Sequence, residues 1–127
     1  MRRLFVFGLV LGIAACTLFE PSGRRYVVYF EPSSARLMDP AKAIVVGAAD
    51  WAKRHPDMPV VVAAFADPYG SEKANADFTR LRAQAVIDVL VNNGVAATRI
   101  QRLDIGSVKF AVDSHESRRV EITVGSP

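Results

Sequence analysis

The chain has 127 residues, 16 basic and 13 acidic side chains, a net charge of +3 and a hydrophobic share of 50%. This length suits one domain with a modest core, and basic residues confined to short pairs such as Arg24-Arg25 and Arg118-Arg119 exclude the broad basic face that nucleic-acid binding needs. One cysteine, Cys16, excludes an internal disulfide, so the fold must rest on packing.

The N-terminus comes first in chain order. Arg2 and Arg3, an apolar run from Leu4 to Val10, and then Leu11-Gly12-Ile13-Ala14-Ala15 before Cys16 have the order of a secretory signal peptide. The apolar run is too short for an ordinary membrane span, which takes about 20 residues. Ile13-Ala14-Ala15-Cys16 resembles the lipobox of bacterial lipoproteins. That resemblance implies that residues 1–15 are removed and that Cys16 becomes an acylated first residue, with membrane lipid as its partner. The remaining 112 residues lose Arg2 and Arg3 and carry a net charge of only +1. An acylated Cys16 has no thiol left for a metal or for nucleophilic catalysis. Thr17, rather than an aspartate, follows the cysteine. By resemblance to enterobacterial sorting this implies the outer membrane, periplasmic side. Residues 16–25 then form the lipidated end and a tether; its nine residues after Cys16 reach about 30 Å when extended.

Residues 26–127 form the globular part. Tyr26-Val27-Val28-Tyr29-Phe30 is β-branched and aromatic, a strand. Asp39 as N-cap and Pro40 in the first helical position open a helix, with Ile44, Val45, Ala48, Trp51 and Ala52 as its apolar stripe and Pro56 beyond its end. Val60 to Ala66 is apolar without interruption, which predicts a central strand buried on both faces. After the turn Asp67-Pro68-Tyr69-Gly70-Ser71, a second helix runs from about Lys73 to Asn92, with Phe78, Leu81, Ala85, Val86, Val89 and Leu90 inward and Gly94 as its left-handed cap. Ile100 to Ile105 is a third strand in which Leu103 and Ile105 alternate, and Arg119 to Val124 a fourth with Val120, Ile122 and Val124 on one face. The order is β-α-β-α-β-β.

Two residues break their local rule. Asp67 sits at the carboxyl end of the most apolar strand, where α/β sheets place ligands. Arg82 lies on the apolar side of the second helix, between Phe78 and Val86 and away from the polar face of Arg80, Gln84 and Asp88. A guanidinium there needs a partner. Two readings stay open: a structural Asp67–Arg82 salt bridge, or a clamp for a zwitterion, with Asp67 taking an ammonium and Arg82 gripping a carboxylate. Asn75 and Thr79 lie on the same helix edge and could add neutral hydrogen bonds. Of Arg118 and Arg119, alternation lets only one reach the site.

Asp67, Gly70-Ser71, Asn75, Arg82-Ala83, Gly94-Val95, Arg99-Ile100 and Arg118-Arg119-Val120-Glu121-Ile122 together, with Val28-Tyr29-Phe30, Ser34-Ala35 and Leu37 before them, resemble the outer-membrane-protein-A-like peptidoglycan-binding domain. The resemblance covers residues 26–124 and, with the lipobox, the layout of the peptidoglycan-associated lipoproteins. It implies an α/β (α+β) two-layer sandwich with a mixed sheet and two main helices. It also implies non-covalent binding of peptidoglycan through the diaminopimelate of the stem peptide, with Asp67 and Arg82 as the contacts and Asn75, Thr79, Gly70, Arg118 and Arg119 beside them. Departures from the family pattern are Ala66 for threonine, Pro68 in the turn, Ala74 for tyrosine, Phe78-Thr79 for Leu-Ser, Ser117 for asparagine, and a short segment at residues 106–117.

The expected function is therefore a binding module that links outer membrane to cell wall. The alternative is a lipoprotein of the same fold with a degenerate ligand site, serving an envelope assembly through protein partners. An enzyme would need a nucleophile, a metal set or paired acids, and no such constellation stands out in the sequence. No cofactor or metal is expected: His55 reads as a helix-end cation, and His115, with Asp113 and Glu116 nearby, lacks a metal-ligand spacing.

Overall fold

The structure is a computed structural model and describes residues 23–108 and 114–126. Residues 1–22, with the signal-peptide pattern, Cys16 and most of the tether, lie outside the described residues, as do residues 109–113 of the short segment.

Four strands, β1 (Arg24–Tyr29), β2 (Val60–Ala66), β3 (Ile100–Ser107) and β4 (Arg119–Val124), form one sheet in the order β1-β4-β2-β3. β4 is antiparallel to both neighbours, and β2 and β3 are parallel. The sheet is therefore mixed. Among the described residues there are also two long helices, α1 (Asp39–Arg54) and α2 (Glu72–Asn92), a 3-10 turn at Ala97–Arg99, and one further turn of helix, α3 (Ser114–Ser117). β1 takes in Arg24 and Arg25, which the sequence reading assigned to the tether.

α1 and α2 pack on the same face of the sheet, and this decides the burial. Val28, Val60, Val62, Ala64, Val120, Ile122 and Val124 point to the helices and are buried; Val45, Ala48, Ala49, Ala52, Ala83, Val86 and Leu90 meet them from above. Each buried valine or leucine contributes about 1.5–3 kcal/mol, and the alanines let the helices come close. β2 is central as expected but not sealed on both faces. Val61, Ala63 and Phe65 are only half-buried, because α1 and α2 both pack on the other side. Leu103 and Ile105 are likewise exposed: Leu103 pairs with Ala63 and so shares its face, on the outermost strand of the sheet.

The helix ends follow local chemistry. Lys42 N–H donates to the Met38 carbonyl, so Met38, in extended conformation, is the cap of α1. Asp39 is displaced from the expected N-cap into the first turn, where its charge suits the helix dipole, and Pro40 follows it. The stripe is shifted too: Ile44 and Leu81 are exposed, while Ala49, Thr79, Arg82 and Ala83 are buried. α2 begins with the Ser71 hydroxyl accepting from Ala74 N–H. It ends at Gly94, φ +97°, with Gly94 N–H donating to Val91 and Val95 N–H to Leu90, the Schellman pattern that glycine permits.

The strand directions set a polarity. Arg24 pairs with Val124 and Val124 with Val60, so the starts of β1 and β2 lie together at one end. Asp67, just after β2, and Arg118, just before β4, lie at the other end.

Candidate ligand-binding site

At that second end, a cleft of about 170 Å³ opens between the turn after β1, the turn after β2 and one face of α2. Asp67, Gly70, Asn75, Phe78, Arg82 and Arg118 line it, with Pro32, Ser33 and Tyr69 at its walls. Asn75, Phe78 and Arg82 reach it together because three- and four-residue steps keep them on one side of a helix.

Asp67 does not pair with Arg82. Its Oδ2 accepts from Arg118 Nη1 at 3.1 Å and its Oδ1 from the Ser117 hydroxyl at 2.7 Å. Arg118 Nε donates to the Phe30 carbonyl at 3.1 Å, which ties the ends of β1, β2 and β4 to one guanidinium. The Asp67 side chain keeps 22% exposure and lines the cleft. A carboxylate offers about four acceptor sites.

Arg82 is 2% exposed. Its Nε donates to the Ser34 carbonyl at 2.8 Å and its Nη2 to the Glu31 carbonyl at 3.3 Å. Its guanidinium lies between the Phe30 and Phe78 rings, 5.5 and 5.2 Å from their centroids. The structural salt bridge open at the sequence level is thus replaced: backbone carbonyls of the β1–α1 turn, where Ser33 adopts φ +50°, satisfy the buried cation. Arg82 lines the cleft, and its Nη1 has no hydrogen-bond partner among the described residues. Burial lowers the Arg82 pKa, the neighbouring Arg118 cation lowers it further, and Asp67 opposes both.

Asn75 builds the turn. Its Nδ2 lies 3.0 Å from the Asp67 carbonyl, 3.0 Å from that of Tyr69 and 3.2 Å from the Ser107 hydroxyl. Two amide protons thus serve three acceptors. Gly70, φ +93°, supplies the left-handed conformation in the same turn. Thr79 is buried and its hydroxyl donates to the Asn75 carbonyl at 2.7 Å, a bond within the helix rather than into the cleft.

The structure therefore gathers Asp67, Gly70, Asn75, Arg82 and Arg118 at one place. It does not bring Arg119 there. Arg119 is on the opposite sheet face, 4.0 Å from the Phe65 ring centroid and 3.1 Å from Glu121 Oε1. Ser117 and the Glu31 and Ser34 carbonyls belong to the site, and the sequence reading missed them. Ser117 was visible only as a departure from the family pattern, and backbone carbonyls leave no mark in a sequence. His115 stacks on Tyr29 with centroids 5.2 Å apart and lies 3.4 Å from Arg118 Nη2.

Fold and site define a two-layer α+β domain with a carboxylate and two guanidiniums around a small cleft at one end of its sheet. The chain belongs to the OmpA family, whose profile matches residues 29–122. Among curated relatives, the probable lipoprotein YiaD of Escherichia coli (strain K12) is 32% identical over 103 residues, 76% of this chain and 47% of the relative. The peptidoglycan-associated lipoprotein of Agrobacterium fabrum is 28% identical over 82 residues, 65% of this chain and 46% of the relative. This chain thus spans about half the length of either. The crystal structure of the peptidoglycan-associated lipoprotein from Burkholderia pseudomallei superposes with a TM-score of 0.71 at 24% identity, covering 78% of this chain and 89% of that one. It shares the fold.

Proposed function

We propose that this protein is a lipid-anchored peptidoglycan-binding module of the outer membrane, its domain in the periplasm and its role non-covalent. The ligand is the diaminopimelate of the stem peptide, which presents a free ammonium beside a carboxylate. Asp67 accepts from the ammonium through the lone pairs that Arg118 and Ser117 leave open. Arg82 Nη1 donates to the carboxylate. Gly70 and Asn75 shape the turn that carries Asp67. Cys16 supplies the acyl anchor. In this reading the domain is a binder and not a hydrolase, and it needs neither metal nor cofactor.

The observation that carries the proposal is that a part-exposed carboxylate and a separate guanidinium with an unspent edge line one small cleft. A structural ion pair alone would consume both. Membership of the OmpA family and the name of the peptidoglycan-associated relative support peptidoglycan as the partner.

Sedimentation with purified sacculi tests it. Wild type co-sediments; Asp67→Asn, which preserves the shape of the side chain, loses at least about tenfold in affinity, the scale of one charge-assisted contact. Equal retention of wild type and Asp67→Asn would remove the clamp. A free diaminopimelate-containing peptide competes with the sacculi if the stem peptide is the ligand.

A further inference from the structure

The end of the sheet opposite the cleft carries a second group of arginines. α1 descends from the cleft end and finishes at Lys53 and Arg54, beside the start of β1. There the Arg24 guanidinium stacks 3.7 Å from the Trp51 ring centroid, and that of Arg54 lies 5.8 Å from it. His55 stacks on the same ring at 3.9 Å. Trp51 is only 9% exposed, so it is a platform that fixes the cations rather than a side chain free to insert elsewhere. A guanidinium stacked on an indole keeps its in-plane N–H donors free for phosphate oxygens.

Arg24, Arg25 and Arg54 are exposed, and none has a carboxylate partner among the described residues. The acids nearby are Asp50, which is 3.3 Å from Lys53 Nζ, and Asp57 in the turn after α1. Positive charge is in excess at this end.

We propose that this end of the domain docks end-on against a surface of anionic phospholipid headgroups, with Arg24 and Arg54 on the helix side of the sheet and Arg25 on its other side holding the phosphates. The path of the chain selects this occupant. Arg24 is eight residues beyond Cys16, a span of at most about 26–29 Å. The inference rests on the acyl anchor at Cys16: once that anchor is in a bilayer, this end is the one held beside it. Cationic side chains that come within a Debye length of an anionic surface, about 8 Å at physiological salt, are then drawn onto it. Docking in this way leaves the cleft clear, because Asp67 and Arg82 sit about 20 Å away at the far end of strands six to eight residues long.

The test uses the full lipidated chain reconstituted in vesicles, with Trp51, the one tryptophan of the sequence, as the probe. Phosphatidylcholine vesicles are compared with vesicles that also contain phosphatidylglycerol. Both carry headgroup spin-labelled lipid, and each signal is referenced to the same protein on unlabelled vesicles. Flotation reports the anchor; quenching of Trp51 reports docking. The expected result is flotation with both lipids and at least about twofold stronger quenching on the anionic one. That excess disappears in about 0.5 M salt and in the Arg25→Glu, Arg54→Glu variant, which still co-sediments with sacculi. Flotation with equal quenching on the two lipids, or quenching indifferent to the double substitution, overturns the docking surface and spares the anchor. Absence of flotation with either lipid removes the anchor, and the docking surface with it.

Discussion

Arg118 Nη1 holds Asp67 Oδ2 at 3.1 Å across 51 positions of sequence, and the same guanidinium reaches the Phe30 carbonyl through Nε. One side chain therefore joins the ends of β1 and β2 to the start of β4. It also fixes the carboxylate that faces the cleft, so Asp67 is oriented before any ligand arrives. A ligand ammonium meets a carboxylate already aimed and loses less in ordering it.

Arg118→Met should therefore cost stability and affinity together. The side chains of the pair are 9% and 22% exposed. Removing one partner of a fully buried pair costs about 3–5 kcal/mol. The residual exposure of Asp67 and its bond from Ser117 reduce this to about 2–3 kcal/mol. Guanidinium unfolding measures it, and sacculus co-sedimentation should weaken in parallel. A loss of less than about 0.5 kcal/mol, the level of an exposed pair, would show that the contact does not organise the site.

Arg82 has two duties that a pair of substitutions separates. Arg82→Ala strands the Ser34 carbonyl, leaves that of Glu31 with only the Ser34 N–H, and opens space between Phe30 and Phe78, a loss of about 2–4 kcal/mol. Arg82→Lys keeps a charge but gives up the fork that spans the two carbonyls and the cleft. It should retain more stability than alanine while binding sacculi as poorly. If lysine supports full binding, Arg82 acts as a point charge and not as a two-pronged donor.

The lowered pKa of Arg82 also fixes a pH dependence. Burial is the main cause, Arg118 adds to it and Asp67 opposes. The unfolded chain thus holds this proton more tightly than the folded one. Between the lowered and the ordinary value, unfolding takes up a proton, and stability rises with pH. That window lies on the alkaline side of the physiological range. Below it both states are protonated and the cost of burial is constant. Stability curves of wild type and Arg82→Gln should run parallel from about pH 6 to 9. A difference that changes with pH in that range would mean that Arg82 titrates there.

The sequence disclosed the parts of this site that depend on periodicity. The strict alternation of Val120, Ile122 and Val124 gave β4 its buried face, and the helical repeat put Arg82 on the inner side of α2, where it is. It failed where apolar residues were more numerous than the core required. Val61, Ala63 and Phe65 lie on the face away from α1 and α2, and the Arg119 guanidinium over Phe65 shields part of it. Leu103 and Ile105 alternate correctly and still face solvent. Partner choice was also hidden. Whether Asp67 meets Arg82 or Arg118 depends on how β2 and β4 are set side by side, and the partners Arg82 did take are carbonyls of a turn. The family pattern marked Asp67 and Arg82 as a set, but not the contacts that hold each of them.

Asn75 should prove a turn builder before it proves a ligand contact. Asn75→Asp is nearly isosteric but turns a donor into an acceptor facing the carbonyls of Asp67 and Tyr69. The expected loss is about 1–3 kcal/mol, with weaker sacculus binding because the Asp67 turn loosens. Amide hydrogen exchange would show faster exchange confined to residues 67–75. Full stability with weakened binding would instead assign Asn75 to the ligand directly.

Arg99 and Arg119 should separate structural arginines from those of the site. Arg99 donates from Nη1 to the Ala52 carbonyl at 2.9 Å, and from Nη2 to those of His55 and Met58 at 3.0 and 2.7 Å. It pins the end of α1 to the turn before β2, at the opposite end from the cleft. Arg99→Met should cost about 1–3 kcal/mol, because the Met58 carbonyl loses its donor while those of Ala52 and His55 keep the N–H groups of His55 and Met58, and the folded fraction should bind sacculi with unchanged affinity. Arg119→Ala loses a half-buried pair with Glu121 and its packing on Phe65, about 1 kcal/mol, and should also bind normally. Arg118→Met, one position away, should not. If Arg119→Ala weakened binding as much as Arg118→Met, the ligand would have to reach the uncovered face of the sheet, and the site would be larger than the cleft at Asp67.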